Sequence, residues 1–294
     1  MGVNIAINTD GLAKLVETIC YGTGLTAYGK KKITDAESYA AIKKVETETE
    51  VEILKLKGED EVADYLLARQ TKKLNNAKSV VEKATKHFVE GEKVSDESVS
   101  QDWTNRLFSI IEDISDDTLQ ELWGQILAGE VKKPKSYSLR TLDLLKNITT
   151  EEANVFINAC RFHIQDRLIC TESFALPLND RLVLGEIGLI NEEELSHKIK
   201  ILPNNKTTVA LGKKSALVLN NPNDINMDIP ISIVKLSKAG YELLNLVQKP
   251  DNKEFINNLV SFFKTKGVGK ITLNDIIEFN ENGTFRYLMN GKEL

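Results

Sequence analysis

The most specific part of the sequence runs from Leu119 to Phe156 and reads LQELWGQILAGEVKKPKSYSLRTLDLLKNITTEEANVF. Its first part places apolar residues in steps of three and four, the spacing of a helix that packs one face on a core. Asp116 and Asp117 stand where carboxylates favour a helix N-terminus, and Gly129 followed by Pro134 predicts the end of this helix. The apolar positions are Leu119, Leu122, Trp123, Ile126 and Leu127.

Further helices are predicted on both sides of this one. Residues 100–114 form an amphipathic segment, and a short leucine-rich helix follows Pro134. Thr149 and Glu152 then have the spacing of a capping box, which predicts the start of another helix. Four helices with apolar stripes and short connections predict a small helical bundle over residues 96–166.

Residues 33–95 are expected to form long charged helices, because the text from Ile33 to Phe88 lacks proline and is rich in Glu, Lys and Ala. Gly58 is the predicted kink or turn. The alternating run at 46–57 also suits a strand, and the helical flanks favour helix. A helix with an apolar stripe that extends beyond a small body is expected to bury that stripe on another chain, so a homo-oligomer is predicted.

The first 32 residues are predicted to be a separate N-terminal segment. Residues 11–32 suit either a helix that packs on the body or a membrane-surface segment. Gly24, Gly29 and Lys30 approach a phosphate-binding loop, but Lys31 stands where that loop needs Ser or Thr, so a turn is expected. Without a signal peptide or an apolar span of about twenty residues, and with three scattered cysteines, a cytoplasmic protein is expected.

From residue 167 to 294 the pattern changes to an α+β domain. Short β-like pieces alternate with Asn-, Pro- and Gly-rich turns, and two helices are predicted, near Leu236 and from Lys253 to Lys264. This order resembles a winged-helix module. The predicted strands lie near 167–170, 207–211, 216–219, 231–236, 269–273 and 284–289. The predicted fold class is therefore α+β and predominantly helical.

Catalytic residues are not predicted. Cys160 and His163 lie one helical turn apart, but with Cys170 and His197 they match no standard zinc spacing. Glu130 with the neighbouring lysines stands at a helix end, where solvated charges are expected rather than a nuclease site. No cofactor, metal ion or small-molecule substrate is therefore predicted.

A net charge of -5 disfavours a chain whose overall field attracts polyanions, but it permits a local basic face. Five lysines near the predicted wing are the candidate nucleic-acid contacts, although they suit a solubilising surface equally well. They are Lys198, Lys200, Lys206, Lys213 and Lys214.

The stretch from Leu122 to Phe156 resembles the central signature of a bacterial family known as domain of unknown function 2806. The likeness covers residues 103–246, and it implies no established catalytic residue. Arg140 is the polar residue of most interest, and a carboxylate or carbonyl partner that pins the loop is expected, with ligand binding as the alternative. The signature residues are Trp123, Gly129, Glu130, Pro134, Ser138, Arg140 and Thr141.

The helical centre also resembles, more distantly, abortive-infection proteins of the alpha type, which implies a role in anti-phage defence. The first functional hypothesis is a non-enzymatic, cytoplasmic, oligomeric protein that binds a protein partner as a sensor or effector. The alternatives are a winged-helix-type nucleic-acid binder and a membrane-associated effector that acts through residues 11–32.

Overall fold

The computed structural model describes residues 9–22, 51–52, 55, 58–212, 214–247, 252–279, 284–289 and 291–294. Contacts between Cα atoms divide the chain into two compact units, Met1–Lys146 and Asn147–Leu294. Helix makes up 48% of the described residues and strand 22%, so the predicted α+β class with predominant helix is confirmed.

Unit 1 is built from helices. Its main described helices are α1 (Thr9–Gly22), α2 (Asp60–Thr85), α3 (Gln101–Ile111), α4 (Asp117–Lys132) and α5 (Leu139–Asn147). Helix α2 packs along α4, and α1 contacts both α3 and α4. The close contact between α2 and α4 is possible because Gly124 faces α2, where a Cβ atom would lie 2.9 Å from the Cβ of Lys83.

The core of unit 1 contains the residues that the apolar spacing predicts. Trp123, Ile126 and Leu127 of α4 are buried, as is Leu107 of α3. Leu119 differs from the prediction, because its side chain is 46% exposed in the first turn of α4. The predicted stripe is therefore right from Trp123 onward.

Helix α1 packs its apolar side inside unit 1. Leu15 and Ile19 are almost fully buried, and the Lys14 ammonium donates to the carbonyl oxygen of Ser95. Over residues 9–22 this burial agrees with the predicted helix that packs on the body. The rest of that predicted segment, with Gly24, Gly29, Lys30 and Lys31, lies outside the described residues.

Helix α2 is the described part of the predicted long charged helices. Gly58 has a φ of +76° shortly before it, which confirms the turn, while residues 33–50 lie outside the described residues. The apolar stripe of its C-terminal half is buried within the unit, at Leu74, Ala77, Val80, Val81 and Ala84. This part of the stripe is therefore not available to another chain, and it does not support the predicted oligomer.

Unit 2 begins with α6 (Thr150–Ala159), which opens with the predicted capping box between Thr149 and Glu152. The remaining helices are α7 (Leu178–Glu186), α8 (Lys238–Leu243) and α9 (Lys253–Thr265), and α6 packs against α7. The strands are β1 (His163–Ile164), β2 (Leu168–Cys170), β3 (Ile190–Ile201), β4 (Lys206–Leu211), β5 (Ser215–Asn220), β6 (Met227–Leu236), β7 (Ile271–Phe279), β8 (Phe285–Tyr287) and β9 (Lys292–Glu293).

These strands form two antiparallel sheets. One has the order β1-β2-β6-β3, and the other has the order β4-β5-β7-β8, with β9 also paired to β7. Residues of both sheets and of α9 share one apolar core. Phe255 anchors α9 in that core, with its ring centroid 5.4 Å from that of Phe162. Unit 2 therefore contains more strand than the two- or three-stranded sheet of the expected winged-helix order.

Strand β3 is the longest element that the sequence did not predict. Its text, INEEELSHKIKI, has three consecutive glutamates, and only the last residues alternate between polar and apolar. The strand forms because its C-terminal half pairs with β6 and places Ile199 and Ile201 in the core. Pairing with a distant segment is a tertiary effect that a local pattern does not contain.

Within the described part of the chain, every helix is too short or too polar to cross a membrane.

Candidate functional site

The centre of the family-like stretch is the end of α4 and the loop that follows it, residues 133–138, here called the Glu130 loop. Helix α4 begins where predicted, because the Asp116 carboxylate accepts a hydrogen bond from the backbone N–H of Leu119 at 2.9 Å. Its end differs from the prediction, since the helix continues through Gly129 to Lys132. Gly129 is therefore inside the helix and does not terminate it.

Gly129 has a packing role instead. A Cβ atom there would lie 2.9 Å from the Tyr137 ring, so the missing side chain lets that ring rest on the backbone of α4. Tyr137 is buried, and its carbonyl oxygen accepts a hydrogen bond of 2.8 Å from the indole N–H of Trp103. The loop is thus packed back onto α3 and α4.

Glu130 holds the Glu130 loop from the inside. Its side chain is only 2% exposed, and its two carboxylate oxygens accept the backbone N–H groups of Lys135, at 2.6 Å, and Tyr137, at 2.9 Å. The expectation of a solvated charge at this position was wrong. A carboxylate can only accept hydrogen bonds, so a loop that turns two amide groups toward it satisfies it well.

The other signature residues continue this support. Pro134 is buried, and Lys135 adopts a φ of +70° where the chain turns around the carboxylate. The Ser138 and Thr141 hydroxyl groups lie 2.9 Å apart at the start of α5, and Thr141 is fully buried. Most of the signature is therefore used to shape the loop and to start the next helix.

Arg140 differs from the expectation of a pinning partner. Its side chain is exposed, and it makes no hydrogen bond or ion pair with the part of the chain that the structure describes. Its neighbour Leu139 is 41% exposed. We call these two adjacent side chains the Leu139–Arg140 surface. It stands at the first residues of α5, directly after the Glu130 loop.

The structure separates the lysines that sequence analysis grouped together. Lys198 and Lys200 are exposed and alternate along β3, where Lys200 is paired in register with Asp228 of β6. Lys206 and Lys214 are exposed near opposite ends of the β4–β5 hairpin, whose strands of six residues span about 20 Å. Lys213 lies outside the described residues.

The described cysteines and histidines are not grouped as a metal site would require. No set of three or more His, Cys, Asp or Glu side chains is placed to hold a metal ion among the described residues. Burial raises the pKa of the Cys170 thiol to about 12, which keeps it protonated. Burial, with a smaller effect from Lys235, lowers the pKa of His197.

A second buried polar side chain was missed by sequence analysis. Asn221 is fully buried, and its amide nitrogen lies within hydrogen-bond distance of the carbonyl oxygens of Ile201, Leu202 and Ile225. It joins residues 202–205 to residues 221–226, which we call the Asn221 tip. The run NNPNDIN predicts turns, but it does not indicate which asparagine is buried.

A family model described as protein of unknown function (DUF2806) matches residues 65–168 and 163–260. The chain belongs to this family, because the matched residues make up about two thirds of its length, and the predicted resemblance is confirmed. No curated protein and no solved structure matches the chain. The resemblance to abortive-infection proteins stays a prediction.

Proposed function

We propose that this member of the DUF2806 family is a non-enzymatic protein-interaction protein that binds its partner through the Leu139–Arg140 surface. The observation that carries the proposal is the exposed Arg140 guanidinium, which has no hydrogen bond or ion pair within the described part of the chain and stands beside an exposed leucine. The Glu130 loop directly precedes this surface in the chain.

The hydrogen bonds that hold this loop lower the cost of binding. Glu130 and Trp103 together make three hydrogen bonds to the backbone of the loop before α5. A surface whose backbone is already ordered loses less conformational entropy when a partner docks. The scaffold therefore suits recognition by a few side chains.

The chemistry of the surface indicates the class of partner. A guanidinium presents its donors in a planar fork that matches a carboxylate, and arginine is enriched among the residues that contribute most to interfaces. Leu139, the preceding residue, adds exposed apolar area to the same turn of α5. We therefore propose a protein partner that places an Asp or Glu side chain next to apolar residues.

The test begins with a photo-reactive amino acid in place of Leu139, which identifies the protein that it cross-links in cells. The affinity of that purified partner is then measured by calorimetry. Arg140→Glu is expected to weaken binding by about tenfold or more, as truncation of an interface arginine does. Equal affinity of the wild-type and Arg140→Glu proteins would contradict the proposal.

Arg69→Glu is the matched control. Arg69 is also an exposed arginine on a helix of unit 1, and it lies in α2. The same change of charge there is expected to leave the affinity unchanged. Thermal unfolding of both variants checks that neither substitution acts by disturbing the fold.

The role in phage defence is a further part of this proposal, and it rests on the resemblance to abortive-infection proteins. If it is right, cells that express the wild-type protein resist phage, and Arg140→Glu reduces that resistance while Arg69→Glu does not. Equal plating of phage on expressing and non-expressing cells would contradict it.

Nucleic-acid binding stays a second hypothesis, supported by the two exposed lysines of β3. Phosphate contacts release counterions, so binding through Lys198 and Lys200 should weaken as salt concentration rises. Fluorescence anisotropy with labelled DNA or RNA at several salt concentrations tests this. Absent binding, or binding that salt does not change, would remove the hypothesis.

Membrane association through residues 11–32 is the third hypothesis. Over residues 9–22 it has little support, because Leu15 and Ile19 are buried inside unit 1. Flotation with anionic liposomes tests it, and failure to float would end it.

A further inference from the structure

Strand β3 lies at the edge of its sheet. The sheet order is β1-β2-β6-β3, so β3 has β6 on one side and no strand on the other among the described residues. It is also long, with twelve residues, and its C-terminal half from Leu195 to Ile201 pairs in regular register with β6. Long edge strands offer backbone groups to another strand unless something covers them.

The contacts of Ser232 in β6 show which backbone groups of β3 point outward. The N–H of Ser232 donates to the Glu172 carboxylate, and its carbonyl oxygen accepts from the N–H of Thr171, so both groups point away from β3. The pair Ser196–Ser232 is therefore of the non-hydrogen-bonded type. By alternation, the N–H and C=O groups of Ser196, Lys198 and Lys200 point to the free edge.

The position of Pro230 supports the conclusion that the backbone groups of Lys198 point to the free edge. It is paired in register with Lys198, and a proline has no N–H to donate. A proline is tolerated inside a strand where its nitrogen points away from the neighbour. Ser196, Lys198 and Lys200 are all exposed, and no backbone group of the described residues bonds to them from the free side.

The charges along β3 change sign at Ser196. Glu192 and Glu194 precede it by four and two residues, and Lys198 and Lys200 follow it by two and four. Both glutamate side chains reach α7, where Glu194 pairs with Arg181. The register with β6 shifts by two residues between Asn191 and Leu195, so the three glutamates at 192–194 have no partner in β6. Asn191 and Leu195, which flank them, pair with Lys235 and Ile233.

We propose that two copies of this chain pair antiparallel through the free edges of their β3 strands, with Ser196 opposite Ser196 of the second copy. In this register Lys198 stands opposite Glu194 and Lys200 opposite Glu192, and the two-fold axis repeats both pairs. The interface is self-complementary, as a symmetric dimer requires. Opposite charges directly across an antiparallel pair are stabilising, and like charges are not.

The charge order also selects the occupant and the register. A register centred on Lys198 would place that lysine against itself and Lys200 against Ser196, which loses the opposite-charge pairs. A purely acidic strand from another protein would complement the lysines but meet Glu192 and Glu194. A second copy of the chain offers lysines to the acidic half of β3 and glutamates to its basic half. The β3 edge belongs to unit 2, whereas the Leu139–Arg140 surface belongs to unit 1.

Charge reversal tests the proposal on the full-length protein. Lys198→Glu with Lys200→Glu makes the edge acidic, and Glu192→Lys with Glu194→Lys makes it basic. Each double variant alone is expected to self-associate at least about tenfold more weakly than the wild type, since four charge pairs become repulsive. Analytical ultracentrifugation at several concentrations measures the association.

Mixing the two double variants is the decisive step. An equimolar mixture restores all four opposite-charge pairs, so a mixed dimer is expected where neither variant dimerises alone. A monomeric wild type, or dimers that both double variants keep, would overturn the proposal. A mixture that stays monomeric while the wild type is a dimer would also overturn it.

A backbone test separates strand pairing from general charge effects. Lys198→Pro removes the outward N–H, whereas Lys198→Thr removes the charge and keeps the N–H. Lys198→Pro is expected to prevent dimerisation, and Lys198→Thr to weaken it only modestly. If Lys198→Pro fails to fold by circular dichroism, the mixing experiment decides alone. Arg140→Glu is expected to leave the dimer intact, so failure of this proposal is distinguishable from failure of the proposed function.

Discussion

The Glu130 loop of unit 1 and the Asn221 tip of unit 2 are held in the same way by opposite chemistry. Glu130 is a buried acceptor, and the backbone turns two N–H groups toward it. Asn221 presents a buried donor to three carbonyl oxygens, while its own carbonyl oxygen accepts the N–H of Asn223. In each place one buried polar side chain holds the backbone of a loop by hydrogen bonds. A buried acceptor thus needs backbone N–H groups around it, and a buried donor needs backbone carbonyl oxygens.

Replacing the donor group of Asn221 by an acceptor is expected to lower the free energy of unfolding more than substitution of Glu130 or Thr149. Asn221→Asp keeps the shape of the side chain but places a buried carboxylate against three carbonyl oxygens. The free energy of unfolding is expected to fall by about 3–5 kcal/mol, as it does for an uncompensated buried charge. Urea denaturation measures it. Asn226→Asp, at an exposed position of the same tip, is the control and should change little.

Replacing an acceptor of Glu130 by a donor should lower the free energy of unfolding by a smaller amount. Glu130→Gln leaves one acceptor oxygen and turns an NH2 group toward the other backbone N–H, so one buried amide loses its partner. The free energy of unfolding is expected to fall by about 1–3 kcal/mol. Glu90→Gln removes a charge at an exposed position of the same unit and serves as the control. If both substitutions have the same small effect, the Glu130 carboxylate does not hold the loop.

The capping box at Thr149 provides a reference for a polar contact in an exposed place. The Thr149 hydroxyl accepts the N–H of Glu152 at 3.2 Å, and the Glu152 carboxylate accepts the N–H of Thr149 at 2.8 Å. Thr149→Ala is expected to lower the free energy of unfolding by about 1 kcal/mol. Thr150→Ala, at the next position, keeps the cap. If Thr149→Ala lowered the free energy of unfolding more than Glu130→Gln does, burial would not determine how much each polar contact contributes to stability.

The reactivity of the Cys170 thiol reports on the packing of unit 2. Burial raises the pKa of its thiol to about 12, so the reactive thiolate at pH 8 should be about a thousandfold rarer than at an exposed cysteine. Iodoacetamide labelling, located by peptide mass spectrometry, should be slow in the wild type and faster in Asn221→Asp. Fast labelling of Cys170 in the wild type would contradict its burial.

Local chemistry explains which parts of the fold the sequence predicted. Local contacts join residues three or four positions apart, so a sequence pattern reveals them. Examples are the caps at Asp116 and Thr149 and the apolar spacing of α3 and α4. Six strand positions near turns were also predicted. Strand β3 was missed, because its three glutamates and its few alternating apolar residues are typical of an exposed segment. Its strand conformation depends on pairing with β6.

The residues of the candidate site were predicted from the sequence, but their burial and their contacts were not. The family-like signature was found in the sequence, but Glu130 was expected in solvent and Arg140 was expected to be pinned. The structure has them the other way round, with the glutamate buried and the arginine exposed. A charge pattern does not say which charged residue the chain folds over, since that depends on where backbone amides converge.

The α+β class, the helical centre and the caps of α4 and α6 follow from the sequence alone, because they depend on apolar periodicity and on contacts between near neighbours. The family follows from the match of the sequence to the family model. The folded structure was needed to show which polar groups are buried, how the lysines are arranged and which strand has a free edge. Those properties depend on contacts between residues far apart in the chain, such as Trp103 with Tyr137 and Ser196 with Ser232. They arise when the chain brings donors, acceptors and charges together in space.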